Sequence, residues 1–177
     1  MSECVFPKAP VGDEWFDVVD ERNTVVRQEL RSIVHREGLL HRAIHLFVFN
    51  QAGEVFLQKR SMSKDVAPGL WDSSTSGHLD AGEGYGAAVV RETREEIGIE
   101  LSSVPTEVLR VDACRETGNE FVRAYQAESE GPFILHPEEI ERGEWFELGR
   151  LETTLQAQEP EFAPSFVYLW RRFSDQK

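Results

Sequence analysis

Three glutamates, Glu92, Glu95 and Glu96, are spaced so that one helix brings their carboxylates onto a single surface. At 3.6 residues per turn they span an arc of roughly 100°. Like charges placed this way repel by roughly 0.2–0.5 kcal/mol per pair. Hard divalent cations such as Mg²⁺ and Mn²⁺ bind carboxylate and carbonyl oxygens, usually together with substrate phosphates. The spacing therefore predicts a metal-binding surface, and a solvated acidic helix face is the alternative.

The residues beside these glutamates define the ends and the buried side of the helix. Glu83 lies in a glycine-flanked turn before the helix, and Arg91 stands next to the glutamates. Gly98 occupies the position where a helix C-cap is expected. Four positions fall outside the acidic arc and can face a core: Gly86, Val90, Thr93 and Ile97. We therefore expect a short helix that presents its carboxylates from a rigid element.

The segment from Gly77 to Ile99 resembles the Nudix box, a motif of glycines, glutamates and one arginine at fixed spacing. Thr93 stands where an aliphatic residue is more usual, although its methyl group can still pack. The fixed positions fall on Gly77, Glu83, Arg91, Glu92, Glu95, Glu96 and Gly98, with Ile99 as the final apolar residue. The resemblance implies a hydrolase that cleaves a nucleoside diphosphate derivative, or a related diphosphate, with Mg²⁺ or Mn²⁺.

The same resemblance implies roles for individual residues. Glu83 and Arg91 would hold the loop and the helix in shape. The implied metal ligands are Glu92, Glu95, Glu96 and the backbone carbonyl of Gly77. One to three ions would act as Lewis acids while a bound water attacks phosphorus. The proton acceptor stays open, with candidates among the box glutamates, above all Glu95 and Glu92, and in distal segments at Glu120, Glu138 and Glu139.

Residues 41–72 are similar to the isopentenyl-diphosphate-isomerase branch of the superfamily, and this similarity runs from about residue 15 to residue 128. In those isomerases a catalytic cysteine precedes a Gly-His or Ser-His pair. Here Ser76 stands at that position, before Gly77 and His78. A hydroxyl group is too weak an acid for the same proton transfer without special activation. The missing cysteine and the intact box favour hydrolysis, and isomerisation is the alternative function.

Three histidines match a second metal site of the isomerase branch, which is held by three histidines and glutamate. His35, His41 and His78 match the histidine positions, and Glu120 matches one glutamate position. Gly118 stands at the other glutamate position. The alternative for each histidine is an ordinary hydrogen-bonding side chain.

Lys59, Arg60 and Lys64 form a local cluster of cations. Basic residues at the matching positions of the isomerase branch contact a diphosphate, so these three are candidate substrate-binding residues. Surface solubility is the alternative. The leaving group stays open, because the box handles only the diphosphate.

Length and charge limit the other possibilities. The chain has 177 residues, enough for one domain with a real core. We expect an N-terminal arm over 1–14 and a single Nudix hydrolase domain over 15–177, with its box at 77–99.

A net charge of −13 argues against nucleic-acid binding, and no apolar run approaches the ~20 residues of a membrane span. Two distant cysteines, Cys4 and Cys114, and no secretory signal favour a cytoplasmic protein.

The hydrophobic patterns predict a mixed α/β chain, which agrees with a Nudix-type α/β/α sandwich containing a mixed sheet. We expect strands over 15–19, 24–26, 41–49, 54–59, 107–114, 120–128 and 144–146. We expect helices over 27–35, 148–156 and 162–173, and mostly loop over 61–76. An exposed stripe from Phe166 to Trp170 on the last helix is a candidate homodimer contact.

Overall fold

The computed structural model describes residues 13–157 and 161–176. Residues 1–12 of the predicted arm, including Cys4, lie outside the described residues. Within the described ranges, the chain forms four helices, a two-stranded hairpin and a seven-stranded sheet.

The large sheet is mixed, as predicted. Its strand order is β5-β4-β3-β8-β7, with β6 paired to β3 and β9 paired to β4. Strands β3 and β8 run parallel, whereas its other pairs are antiparallel. The strands are β1 (Trp15–Val19), β2 (Val25–Leu30), β3 (His41–Phe49), β4 (Val55–Arg60), β5 (Trp71–Asp72), β6 (Thr75–His78), β7 (Thr106–Val111), β8 (Glu120–Glu128) and β9 (Ile140–Phe146). The helices are α1 (Arg31–Glu37), α2 (Tyr85–Ile97), α3 (Leu148–Gln156) and α4 (Pro164–Ser174).

The central strand β3 is buried on both faces, because successive side chains of a strand point to opposite sides of the sheet. Phe47 belongs to one core cluster together with Leu151 of α3 and Phe166 of α4. Leu46 belongs to a second cluster, which contains Val89 of α2. Helices thus cover both faces of the sheet, and α2 is fixed against one of them.

The hairpin of β1 and β2 lies outside the large sheet and supports the loop that follows β6. The amide of Ala81 donates to the carbonyl oxygen of Trp15 at 2.7 Å. The amide of Gly82 donates to Asp17 Oδ2 at 2.9 Å. The hairpin therefore holds the loop that leads into α2.

The predicted helix over 27–35 is wrong in its first half. Strand β2 continues to Leu30, and the helix α1 begins at Arg31. Trp15 pairs with Leu30 and Val18 pairs with Arg27, so the backbone of residues 27–30 is hydrogen-bonded to β1 and does not form a helix. Apolar residues at helical spacing are a weak signal, and this tertiary pairing overrides it.

The predicted exposure of the stripe from Phe166 to Trp170 is also wrong. Phe166 is 0% exposed and Trp170 is 3% exposed. The Trp170 ring packs edge-on against Phe47, with 5.3 Å between ring centroids. Phe166, Leu169 and Trp170 are buried because α4 covers the sheet, whereas Val167 and Tyr168 are half-buried. Among the described residues, none of the helices combines the length and the apolar character that a bilayer crossing requires.

Candidate active site

Helix α2 carries the three glutamates, and of the four positions expected to face a core, Thr93 and Ile97 are buried while Gly86 and Val90 are half-buried. Its C-cap is Gly98, whose φ of 71° lies in the left-handed region that favours glycine. Thr93 and Ile97 are both buried, and the Thr93 hydroxyl donates to the carbonyl of Val89 at 2.6 Å. The hydroxyl group of this less usual box residue, Thr93, therefore has a hydrogen-bond acceptor within the helix.

Arg91 joins the loop to the helix. Its Nε and Nη2 donate to the two carboxylate oxygens of Glu83 at 3.0 and 2.8 Å. Its Nη1 donates to Glu92 at 2.9 Å and to Glu95 at 3.1 Å. A further bond of 3.0 Å runs from Nη2 to the carbonyl of His78. One guanidinium group therefore fixes the turn, the end of β6 and two of the three glutamates.

Gly77 and Glu92 are in direct contact. A methyl group placed on Gly77 would lie 2.2 Å from Glu92 Cδ, far inside van der Waals contact. The carboxylate therefore packs against the bare backbone of β6, which explains why this position requires glycine.

Glu96 is the most enclosed of the three carboxylates. It is 5% exposed, and its Oε2 accepts hydrogen bonds of 3.1 Å from the Ser76 amide and from Gln58 Nε2. Gln58 is itself buried on β4 and carries no sequence signal of a role here. Glu95 differs, since its side chain is 49% exposed.

Burial changes the acidity of two of these carboxyl groups. Desolvation raises the pKa of Glu92 to about 7, although the charge of Arg91 opposes the shift. Desolvation and the charge of Glu92 raise the pKa of Glu96 well above its ordinary value. A cation placed between them would favour the ionised forms. The oxygen donors of Glu92, Glu95 and Glu96, next to Gly77 with its missing side chain, thus fit a hard divalent metal.

The glutamates open onto a cavity of about 500 Å³. Arg60 and Lys64 line this cavity. Lys59 does not, because neighbouring residues of β4 point to opposite sides of the sheet. Its ammonium group lies 5.9 Å from the centre of the Trp71 ring instead. Of the three cations expected to form one cluster, Arg60 and Lys64 therefore lie at the cavity and Lys59 lies outside it.

Arg60 and Lys64 are each held by a carboxylate. Arg60 Nη1 donates to Asp72 Oδ2 at 3.2 Å and to Ser76 Oγ at 3.4 Å, and its Nε donates to the carbonyl of Val66 at 3.0 Å. Lys64 forms an ion pair with Glu139. Both cations are thereby oriented at the cavity wall, and Ser76 is placed beside them.

A second cluster reaches the same cavity through His78 and Glu120. One ligand-type atom from each of His35, His41, His78 and Glu120 lies within 4.8 Å of the others. His78 Nε2 lies 3.0 Å from Glu120 Oε1. His41 Nε2 is buried and makes no hydrogen bond within the described part of the chain, and it lies 3.5 Å from the same oxygen. The three histidines are thus brought together as the sequence predicts, with Glu120 beside them.

Burial favours the neutral imidazole at two histidines of this second cluster. Burial lowers the pKa of His78 to about 4, although Glu120 opposes the shift. Burial also lowers the pKa of His35. Burial alone would raise the pKa of Glu120, but the neighbouring imidazoles of His41 and His78 hold that pKa well below its ordinary value. Neutral imidazoles and one carboxylate are typical ligands of zinc and other transition metals.

Sequence reasoning missed several polar neighbours of the two clusters, because they carry no motif. Asp72 is buried beneath Arg60, and Asp65 contacts Arg31 and His35. Arg31 also lines the cavity. Of the two distal base candidates at 138 and 139, it is Glu139 that lines the cavity.

Comparison with known proteins gives consistent results. A family model described as NUDIX domain matches residues 39–166. The chain is 36% identical over 137 residues to an uncharacterized Nudix hydrolase of Yersinia pestis, covering 75% of this chain and 72% of that protein. It is also 36% identical over 141 residues to isopentenyl-diphosphate Delta-isomerase 1 of Aromatoleum aromaticum, covering 78% of this chain and 80% of that protein.

A solved structure has a similar fold. The crystal structure of DR0079 from Deinococcus radiodurans matches with a TM-score of 0.79 and 29% sequence identity. The match covers 90% of this chain and 98% of the other.

Proposed function

Because this chain belongs to the NUDIX domain family and is a Nudix hydrolase, we propose that it cleaves a diphosphate linkage by attack of water on phosphorus. The predicted α/β/α sandwich of the Nudix type is confirmed. Nudix hydrolases act on small-molecule diphosphates and generally use divalent metals. For this chain we propose Mg²⁺ or Mn²⁺, with Glu92, Glu95, Glu96 and the carbonyl of Gly77 as ligands.

The contact between Gly77 and Glu92 is the observation on which the proposal mainly depends. It places the desolvated Glu92 carboxylate against the backbone of Gly77, and both residues line the cavity. Glu96 lies buried beside it, and burial raises the pKa values of both carboxyl groups. When bound, the metal would act as a Lewis acid on the diphosphate and would lower the pKa of a water.

The remaining residues bind the substrate and accept the proton. Arg60 and Lys64 neutralise the diphosphate from the cavity wall. Glu95 is half exposed, is hydrogen-bonded to Arg91 and lines the cavity, so it is accessible there as a candidate base. Glu92 and Glu120, which line the same cavity, are the other candidate bases.

We further propose that His35, His41, His78 and Glu120 hold a second divalent ion. The unpartnered Nε2 of His41 supports this, because a buried nitrogen with no hydrogen bond has an unused lone pair or proton. The stack of Phe16 on His78, with 4.8 Å between ring centroids, gives the site a dry apolar wall.

A panel of nucleotide, sugar, prenyl and cofactor diphosphates, assayed for phosphate or monophosphate release, tests the hydrolase. We expect turnover of at least one compound with Mg²⁺ or Mn²⁺ and none with a chelator present. Metal-independent turnover, or failure of Mg²⁺ and Mn²⁺ to bind even with a pyrophosphate compound present, would contradict the proposed metal role.

The histidine cluster favours one alternative, an isopentenyl-diphosphate isomerase. Ser76 occupies the position of the missing cysteine and contacts Asp72 and Arg60. We expect no deuterium to enter isopentenyl diphosphate from heavy water. Incorporation of deuterium without phosphate release would replace the hydrolase with the isomerase.

A further inference from the structure

The segment of residues 61–70, which follows β4, is attached to two sides of the cavity. On one side it contacts the turn before β9: the Ser61 amide donates to the carbonyl of Glu139 at 2.9 Å, and Ser63 Oγ donates to the carbonyl of Glu138 at 3.0 Å. The ion pair of Lys64 and Glu139 lies on the same side. This segment therefore carries a substrate-binding candidate into the cavity.

On the other side, the segment is attached through Asp65. Its Oδ1 accepts from Arg31 Nη2 at 2.9 Å, and its Oδ2 lies 3.3 Å from His35 Nδ1. Arg31 and His35 lie one turn apart on α1, so one carboxylate contacts both. Asp65 is thus the contact between the 61–70 segment and the histidine cluster.

This contact selects the nitrogen that His35 can offer to a metal. A neutral imidazole that donates from Nδ1 to a carboxylate keeps its lone pair on Nε2. Carboxylates that accept from a metal-ligating histidine fix its tautomer and raise its basicity. The contact with His35 Nδ1 places Asp65 as such an outer partner.

The other histidines are fixed differently. His41 Nδ1 lies 2.9 Å from the backbone carbonyl of Leu39. That acceptor belongs to the chain between α1 and β3 and does not depend on the 61–70 segment. The orientation of His35 is therefore tied to the segment that carries Lys64, whereas that of His41 is not.

We propose that Asp65 is a positioning residue, which orients His35 for a divalent metal and couples occupancy of the histidine cluster to the placement of the 61–70 segment. This inference rests on the second metal site of the proposed function. Because linkage is reciprocal, a metal in the cluster would stabilise the segment by the same free energy with which the segment strengthens metal binding.

A cobalt titration of the full chain tests the inference. Co²⁺ bound by nitrogen ligands at low coordination number absorbs visible light more strongly than octahedral, oxygen-bound Co²⁺. Loss of this absorption in His41→Ala would assign it to the cluster. We expect Asp65→Ala to weaken Co²⁺ binding at the cluster by about 10- to 100-fold, the usual effect of losing an outer partner. Asp65→Asn, which keeps an acceptor oxygen, should restore part of the affinity.

Ser63→Ala is the matched control, because it removes a contact of the same segment without touching His35. We expect a much smaller loss of Co²⁺ affinity in this variant than in Asp65→Ala. In addition, Zn²⁺ should slow amide hydrogen exchange over residues 61–70 in the wild type and not in Asp65→Ala. This second readout reports the coupling and does not require turnover.

The outcomes separate the inference from the hydrolase. Wild-type cobalt affinity in Asp65→Ala would overturn the positioning role, as would an equal loss in Ser63→Ala. If the wild type never shows nitrogen-bound Co²⁺, both the second metal site and the role of Asp65 fall. Phosphate release with Mg²⁺ is measured separately and would still stand.

Discussion

The carboxylate cluster of Glu92, Glu95 and Glu96 and the histidine cluster of His35, His41, His78 and Glu120 are built in different ways. All three carboxylates line the cavity, whereas the histidine cluster reaches it through His78 and Glu120. The carboxylates come from one helix, whose preceding loop is held by Arg91. The histidine cluster combines side chains from α1, β3, β6 and β8. A local motif can therefore predict the first cluster, whereas the second exists only after the sheet has formed.

The two clusters also differ in the metal that they suit. Oxygen donors favour Mg²⁺ or Mn²⁺, whereas neutral imidazoles favour zinc and similar ions. They meet at β6, where Gly77 contacts Glu92 and His78 contacts Glu120. Variants that affect one cluster and not the other can show whether they work independently.

The largest effect is expected from Glu96→Gln. It removes a proposed ligand charge, so turnover should fall by more than about 100-fold, since even outer partners of a metal are worth about 10- to 100-fold. Glu100→Gln is the control, because it makes the same change at an exposed glutamate just after the helix. Phosphate release gives the rates, and circular dichroism checks the fold.

This variant should leave the visible absorption of Co²⁺ at the histidine cluster unchanged. Normal turnover in Glu96→Gln would refute the assignment of the carboxylates. Loss of the cobalt absorption would show that the two clusters are not independent.

The difference between the two clusters also explains which residues of the site can be predicted from the sequence. The box residues lie within one segment, so their spacing alone places the carboxylates together. Gln58, Asp65 and Asp72 reach the clusters only through the packing of β4, β5 and the 61–70 segment, and no local pattern marks them. The sequence prediction groups Lys59 with Arg60, but adjacent residues of a strand point to opposite sides of the sheet.

The errors in the fold have the same physical origin. Residues 27–30 pair with β1, and the Phe166 to Trp170 stripe packs on β3, so long-range contacts decide both segments. The hairpin of β3 and β4 and the bounds of α3 were predicted well, because local turn and periodicity signals agree with the packing there.

Gly77→Ala is expected to have the next largest effect. The added methyl group would lie 2.2 Å from Glu92 Cδ, so the carboxylate must move. We expect a loss of turnover of at least about 10-fold and a loss of about 1–3 kcal/mol in the free energy of unfolding, as for other overpacked sites. Steady-state kinetics and urea unfolding measure the two effects.

Gly84→Ala is the matched control within the same box. Nothing lies within 4 Å of a methyl group placed there, and its φ of −97° suits alanine. It should retain wild-type kinetics. Equal damage from both substitutions would mean that the contact of Gly77 with Glu92 is not what matters.

Lys64→Met should raise KM by about 10-fold, because an oriented charge–phosphate contact is worth roughly 1.5–3 kcal/mol in the protein and less in an open cavity. Lys59→Met should leave KM unchanged, because Lys59 lies over Trp71 outside the cavity. Kinetics with any diphosphate that is turned over can compare the two. A higher KM in Lys59→Met would restore the three-residue cluster that the sequence suggests.

The smallest effect is a change in stability with pH, and the two clusters should act in opposite directions. The folded pKa of Glu92 is raised to about 7 from an ordinary value of 4.5, so between these values the folded state binds more protons and stability falls as pH rises. The folded pKa of His78 is lowered to about 4 from 6.5, so its contribution rises with pH between 4 and 6.5.

Glu92→Gln separates the two contributions. Without metal, the variant should gain about 1–3 kcal/mol in unfolding free energy relative to the wild type as pH rises from 4.5 to 7. Mg²⁺ or Mn²⁺ with pyrophosphate should remove this advantage, because the ion favours the ionised carboxylate of the wild type. Urea unfolding of both proteins across this pH range measures the difference. A constant difference would mean that Glu92 is already ionised without a metal, and the carboxylate cluster would then be a solvated acidic face.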